Sequence, residues 1–280
     1  MTNPANATHT VLSKDGTTIH YLTIGAGPSV IVVPGALEIA EEFSAFAHTL
    51  AQHFTIHTIE RRGRGLSGPQ GDDYSIAKEC EDIVALQQKT GAKYIVGHSY
   101  GGLVALEAAR TTNVFTKIAV YEPGVSIDGS IPTSWMPMYE QKLAQKKHFD
   151  AFIEFSVAAG PDKGKKIPRF IMKVILRFVL KPRELRQILA LLPESLREHQ
   201  EVARLDNTHH TYQGITASAL LMYSGQSNKR GLTWVEPMTK QLAEILLHSE
   251  LKEFPKLDHF GISKKGSAEV ATTVSEFFSK

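Results

Sequence analysis

Gly97-His98-Ser99-Tyr100-Gly101 sets a serine between two glycines, after a short apolar run at residues 94–96 and before a helix-like run at residues 103–110. A strand-to-helix corner this sharp brings backbone so close on either side of the serine that only glycine fits, and its strain lifts the hydroxyl above the sheet edge. The same corner puts the Tyr100 N–H at a helix start, where partial positive charge favours a developing anion. One turn therefore offers a nucleophile and half of an oxyanion hole. The plainer reading is a Gly-rich connection that happens to hold a serine; the strand before it and the helix after it favour the nucleophile.

A serine hydroxyl needs a base delivered by a loop at the same sheet edge. Of the twelve histidines, His259 in Leu257-Asp258-His259-Phe260-Gly261 is the best placed. It follows the last expected strand and precedes the final helix, so its loop lies at the carboxyl ends of the strands. His98 is the nearest rival, but its side chain points into the corner and reads as packed and hydrogen-bonded.

These residues require an alternating strand–helix frame to bring them together, and the chain has one. Strand-like runs at "TIHYLTIG", "VIVV", "FTIHTIE", "KYIVG" and "KIAVYE" are interleaved with helical patterns, one of them opening at Ser75 with Glu79 placed for capping. This alternation predicts a parallel sheet with helices on both faces. From 123 to 210 no strand is expected. Residues 139–206 carry 14 Lys/Arg against 9 Asp/Glu and read as several helices. Strand character resumes at "ASALLMYSG" and "LKEFPKL". The expectation is one α/β core domain from residues 1–122 and 211–280, with residues 123–210 inserted as a helical lid.

The bulk properties fit such a domain. At 280 residues and 42% hydrophobic content the chain can bury a sizeable core, and its net charge of +2 selects neither nucleic acid nor an acidic partner. Cys80 is the only cysteine, which leaves no intramolecular disulfide and no cysteine metal cluster; among Ile76, Ile83, Val84 and Leu86 it reads as a buried structural thiol. The polar start lacks a signal-peptide layout, and a cytoplasmic protein is expected. The longest apolar stretch, residues 167–180, is shorter than the roughly 20 residues of a membrane span and is broken by Arg169, Lys173 and Arg177, so no stable membrane insertion is expected. No repeat or Gly/Ser linker appears.

Taken in order, "VVPGAL" at residues 32–37, "ERRGRGLSG" at 60–68, "GHSYGG" at 97–102 and "LDHFG" at 257–261 make the chain resemble the α/β-hydrolase superfamily over essentially its whole length. The resemblance implies a Ser–acid–His triad, an eight-stranded and mostly parallel sheet, no cofactor or metal, and a cap after the sixth strand, which the helices of residues 139–206 match. The family's usual acid is an Asp after the penultimate strand, but "YSGQSNKRG" offers Asn228 there and no carboxylate. Some members take the acid from the end of the sixth strand, where "AVYEPG" holds Glu122. In that role Glu122 accepts the Nδ1–H of His259 and stabilises the imidazolium as Ser99 loses its proton. Asp128 is a weaker candidate, Asp258 adjoins the histidine too closely to reach its ring, and Asn228 can orient the ring but not stabilise its charge. Pro34-Gly35-Ala36 stands where many members have His-Gly; the Ala36 N–H still joins that of Tyr100 in the oxyanion hole. The interleaved Arg/Gly loop at 60–68 raises phosphate or nucleic-acid binding, and the resemblance makes it a structural turn after the fourth strand, with Glu60 a turn acceptor.

Within the insert, Arg169, Lys173 and Arg177 recur every four residues and leave Phe170, Ile171, Val174, Ile175, Phe178 and Val179 on the remaining surface. That apolar face is expected to pack on other helices of the insert, or in part to line the pocket and admit an apolar acyl or alcohol group. The sequence thus predicts a serine hydrolase cleaving a small lipophilic ester or related acyl compound through an acyl-enzyme. A serine at the nucleophile position argues against halide or epoxide opening by an aspartyl ester. The alternatives are a receptor-like binding protein on the same fold, which the empty acid position favours, and a C–C bond hydrolase or lyase with the same triad.

Overall fold

The computed structural model describes residues 7–158 and 167–280. The first six residues of the polar start and residues 159–166 of the expected insert lie outside that description. Eight strands appear among the described residues: β1 (Ala7–Leu12), β2 (Thr18–Gly25), β3 (Ser29–Val33), β4 (Thr55–Glu60), β5 (Tyr94–His98), β6 (Lys117–Tyr121), β7 (Ser218–Ser224) and β8 (Ser249–Phe254). They form one sheet in the order β1-β2-β4-β3-β5-β6-β7-β8. β2 runs antiparallel to both of its neighbours, β1 and β4, and every other neighbouring pair is parallel. β1 departs from the sequence reading, which saw only a polar start. It is an exposed edge strand, registered from Ala7 opposite Thr23 to Leu12 opposite Thr18, so no apolar alternation marks it.

Strand alternation builds two cores from the same short runs. Ile31 and Val33 of β3, Ile118 and Val120 of β6, and Ala219 and Leu221 of β7 point to the face covered by α2 (Ile76–Thr90), α3 (Tyr100–Thr111) and α9 (Val235–Ile245). Their neighbours Val30, Val32, Ala119, Tyr121, Leu220 and Met222 point to the face covered by α1 (Ser44–Leu50) and α10 (Ser267–Ser279). Because both faces are buried, these strands are continuous apolar runs, as a parallel sheet requires. Cys80 sits in the first core, where burial pushes its thiol far up and leaves it inert.

Five described helices lie between β6 and β7: α4 (Met136–Ala144), α5 (His148–Ala158), α6 (Arg169–Val179), α7 (Pro182–Ala190) and α8 (Leu192–Arg204). Trp135, Tyr139, Phe152, Leu192 and Leu196 give them a core of their own. The expectation for α6 is overturned. Phe170, Val174, Phe178 and Val179 face solvent, Ile171 and Ile175 are partly exposed, and none of the six lines the pocket. Leu176 packs against the core of these helices, and the basic stripe adds to this rotation: Lys173 pairs with Asp150 at 2.8 Å and Arg169 with Glu154 at 3.1 Å, both on α5, while Arg177 lies 5.6 Å from the Phe149 ring centroid. With the charges held against α5, the opposite sector turns outward.

The loop after β4 ties these helices to the sheet. Arg61 makes two 2.6 Å bonds to Glu79, and both Arg61 and Arg64 reach Glu198 of α8, at 3.0 and 2.5 Å. Arg62 pairs with Asp82 at 2.7 Å and with Asp15 at 3.0 Å. All three guanidiniums are buried and committed, which leaves them nothing to offer a phosphate. Glu79 is therefore not the capping partner the sequence reading gave it; Ser75 is the N-cap, without a side-chain cap bond. Glu60 lies beside this loop, where burial raises its carboxyl to about 7.

Candidate active site

β5 ends at His98 and α3 begins at Tyr100, leaving Ser99 alone in the corner at φ 51° and ψ −122°. The flanking glycines are required sterically: a Cβ on Gly97 would stand 2.7 Å from the Gly102 Cα, and one on Gly101 would stand 2.8 Å from the Val33 carbonyl carbon. The Ser99 N–H donates to the Tyr121 carbonyl at 3.0 Å, which couples the corner to the end of β6. There Glu122, fully buried and also left-handed at φ 46°, donates its N–H to the Met222 carbonyl at 2.8 Å. Two strained residues on adjacent parallel strands thus stand at one sheet edge.

His259 spans the gap between them. Its Nδ1 lies 2.7 Å from Glu122 Oε2 and its Nε2 lies 3.1 Å from Ser99 Oγ. A carboxylate only accepts, so Nδ1 carries the proton and Nε2 presents its lone pair to the serine hydroxyl. Glu122 Oε1 also accepts the Ser224 N–H at 2.7 Å and the Ser227 hydroxyl at 2.9 Å. Burial alone would push the Glu122 carboxyl up; the bonds from His259, Ser224 and Ser227 and the nearby imidazole outweigh it and hold the group below its ordinary range.

The other acid candidates are elsewhere. Asp128 lies on an exposed loop. Asp258 pairs with Arg230 at 2.8 Å and accepts the Phe260 N–H at 3.1 Å, its carboxylate turned from the ring. Asn228 is exposed in the turn after β7, where its carbonyl accepts the Gly231 N–H. Its neighbour Ser227, which the sequence reading passed over, makes the contact with Glu122. The signal was present: a loop without a carboxylate, meeting a carboxylate supplied by β6, must offer donors, and Ser224 and Ser227 are donors.

Two backbone N–H groups flank the serine without protein acceptors among the described residues, those of Tyr100 and Ala36. Tyr100 is held by its ring, 4.7 Å from the Arg61 guanidinium, and by its hydroxyl, 2.8 Å from that of Tyr74. Ala36 follows Gly35, whose N–H donates to Glu38 Oε2 at 2.8 Å.

Glu38 is the second residue the sequence reading missed. Its Oε2 lies 2.6 Å from His98 Nδ1 and its Oε1 accepts the Ser263 hydroxyl at 2.7 Å, while His98 Nε2 lies 2.8 Å from the His259 carbonyl. Both ring nitrogens of His98 face acceptors, so the ring is doubly protonated and the pair is ionic. Burial disfavours both charges, but each partner stabilises the other: Glu38 is held down at about 2 and His98 is raised. This one pair ties the Gly35 loop, the serine corner and the His259 loop together. Glu38→Ala, which leaves a buried imidazolium alone, is expected to cost about 3–5 kcal/mol of stability. Glu38→Gln, which can donate to a neutral ring, should cost less. Because the folded-state pKa of His98 is raised, the advantage of wild type over Glu38→Gln is complete below the ordinary histidine value and shrinks as pH rises through the raised one. Urea unfolding at about pH 6 and about pH 9 checks this; an advantage that grows with pH contradicts the ionic assignment.

Over Ser99 and His259 opens a cavity of about 670 Å³, walled largely by Trp135, Phe152, Phe155, Leu176, Leu180 and Trp234. His199 of α8 also lines it, between Trp135 and Phe155, and donates Nδ1–H to the Ser195 carbonyl at 2.7 Å. Burial lowers its pKa, so it is neutral, with Nε2 an acceptor. Among the described residues no group of three or more His, Cys, Asp or Glu is placed to hold a metal, and no helix is long and apolar enough to cross a membrane.

A model of the alpha/beta hydrolase family matches residues 30–272 of the chain. N-formylmaleamate deformylase of Pseudomonas putida is 30% identical over 141 residues, covering 48% of this chain and 52% of that protein. Bifunctional epoxide hydrolase 2 of Sus scrofa is 29% identical over 132 residues, covering 45% of this chain and 22% of that one. The matched region therefore spans about half of the first relative and less of the second. The crystal structure of an alpha/beta hydrolase from Sphaerobacter thermophilus matches with a TM-score of 0.80 and 26% identity, over 96% of this chain and 100% of that one.

Proposed function

Since the chain belongs to the alpha/beta hydrolase family, we propose that it is a serine hydrolase cleaving a small, lipophilic ester or related acyl compound through an acyl-enzyme. The observation that carries this reading is the unbroken hydrogen-bond chain Glu122–His259–Ser99 at the floor of an apolar cavity. Ser99 Oγ attacks the acyl carbonyl as His259 Nε2 takes its proton, and Glu122, kept ionised, stabilises the imidazolium. The Ala36 and Tyr100 N–H groups receive the oxyanion. His259 then returns the proton to the leaving alcohol, and water repeats the sequence on the acyl-Ser99 ester. The inserted helices of residues 123–210 act as the lid over residues 1–122 and 211–280. A cytoplasmic location accords with the single buried thiol.

Opening an epoxide through an aspartyl ester would need a carboxylate where this chain has Ser99. A receptor without turnover is the reading that the empty acid position favours; Glu122 at 2.7 Å from His259 supports turnover instead. The likeness to the deformylase favours a second bond for the same chemistry, a C–N acyl bond in place of the ester.

A panel of p-nitrophenyl esters of graded acyl length tests the reading. Burying each methylene against Phe152, Phe155 and Leu180 should raise kcat/KM roughly fourfold until the cavity is filled. Leu180→Trp, which fills the wall, should shorten the preferred acyl chain while leaving the acetyl ester within about threefold. Absence of turnover on every ester and on the matched anilides would sink the proposal.

A further inference from the structure

The outward face of α6 is left unexplained by any reaction at Ser99. Phe170 is 71% exposed, Val174 54%, Phe178 87% and Val179 70%, with Ile171 and Ile175 near 40% and 39%. Successive helical residues turn by about 100°, so these six side chains cover about half the circumference for the length of the helix. Single exposed apolar residues are ordinary; a contiguous face of this kind marks a contact surface.

The polar half of the same helix indicates what it meets. Arg169, Lys173 and Arg177 are its only charges, and with Lys181, Arg183 and Arg186 of α7 against the single acid Glu184, residues 169–190 carry a net charge of +5. Arg177, Lys181 and Arg186 have no acidic partner among the described residues. A second copy of the chain laid face to face would oppose two such excesses of positive charge. An anionic surface that is apolar beneath its charges satisfies both halves.

We propose that the outer face of α6 docks in the interfacial layer of an anionic phospholipid surface, with Phe170 and Phe178 among the acyl chains and the unpaired Arg and Lys heads at the phosphates. Leu176 of α6 and Leu180, which follows the helix, line the cavity. A docked lid therefore forms the wall between the lipid and Ser99, so that a lipophilic substrate can pass from one to the other. This consequence rests on the hydrolase reading; the docking does not.

Flotation of the full chain with vesicles of phosphatidylcholine alone, and of phosphatidylcholine mixed with phosphatidylglycerol, tests the docking without any turnover. Partition onto the mixed vesicles is expected to exceed that onto neutral ones at least tenfold, as is its loss in Phe170→Ser/Phe178→Ser. Arg177→Gln/Lys181→Gln/Arg186→Gln should remove most of the preference for the anionic lipid, and raised salt should do the same. Circular dichroism and turnover of a soluble short ester confirm that the variants fold, since none of these residues touches the cavity floor. Flotation with neither vesicle, or flotation undiminished in the phenylalanine variant, overturns the proposal. So does a dimer in sedimentation equilibrium that the phenylalanine variant disperses, which would make a second copy the partner.

Discussion

Ser99→Ala is expected to lower ester turnover by about 10⁴-fold or more, because what remains is binding and the two N–H donors. The corner itself should survive. Its position is held by backbone bonds, Ser99 N–H to the Tyr121 carbonyl at 3.0 Å and the Gly124 and Leu103 N–H groups to the Ser99 carbonyl, at 2.8 and 3.1 Å. Alanine tolerates φ 51° about as well as serine, so unfolding curves of the variant and wild type should nearly coincide. His259→Ala should be comparably damaging, and the double variant should add little, since nucleophile and base act as one unit. Near-native turnover by Ser99→Ala, on an ester hydrolysed by wild type, would remove the nucleophile from the account.

The second large effect is expected at Glu122. Three donors converge on its two oxygens: the Ser224 N–H, the Ser227 hydroxyl and His259 Nδ1–H. Glu122→Gln keeps the shape but replaces one acceptor by an NH₂ group, which must confront one of those donors. If it faces His259, the ring is driven to the tautomer whose Nε2 is protonated, and that nitrogen no longer accepts from Ser99. Loss of charge and wrong tautomer together set the expected fall in kcat at about 10⁴-fold. Asn228→Ala should change kcat less than about threefold, because Asn228 is exposed and reaches neither Glu122 nor His259. Both variants belong on one ester, with folding checked by circular dichroism. An active Glu122→Gln beside an inactive Asn228→Ala would move the orienting group to Asn228; two active variants would place the acid elsewhere.

What could be read from the sequence follows burial. β3, β5, β6 and β7 are legible because both of their faces are covered, which makes them short apolar runs between helical patterns. β1 is not, because an exposed edge strand bears no such pattern. Ser99 and His259 stand out through glycine spacing and chain order, and the structure sets them 3.1 Å apart. Glu122 needed the family resemblance, since a strand-end carboxylate has no local signature. Glu38, Ser224 and Ser227 act across distances of 60 residues or more along the chain, in pairs that no local pattern encodes. The outward turn of α6 was illegible for a different reason. Amphipathicity says that a helix has two faces, not which one meets the protein; here the packing of Leu176 in the insert and the pairing of the basic stripe with Asp150 and Glu154 on α5 go together.

Acylation of Ser99 can be read by mass. Wild-type protein incubated with an alkyl fluorophosphonate and digested is expected to carry one phosphonate adduct, on the peptide that contains Ser99, with ester turnover falling in proportion to labelling. Protein that hydrolyses the ester but takes up no label, or that takes it up on a peptide without Ser99, contradicts the account.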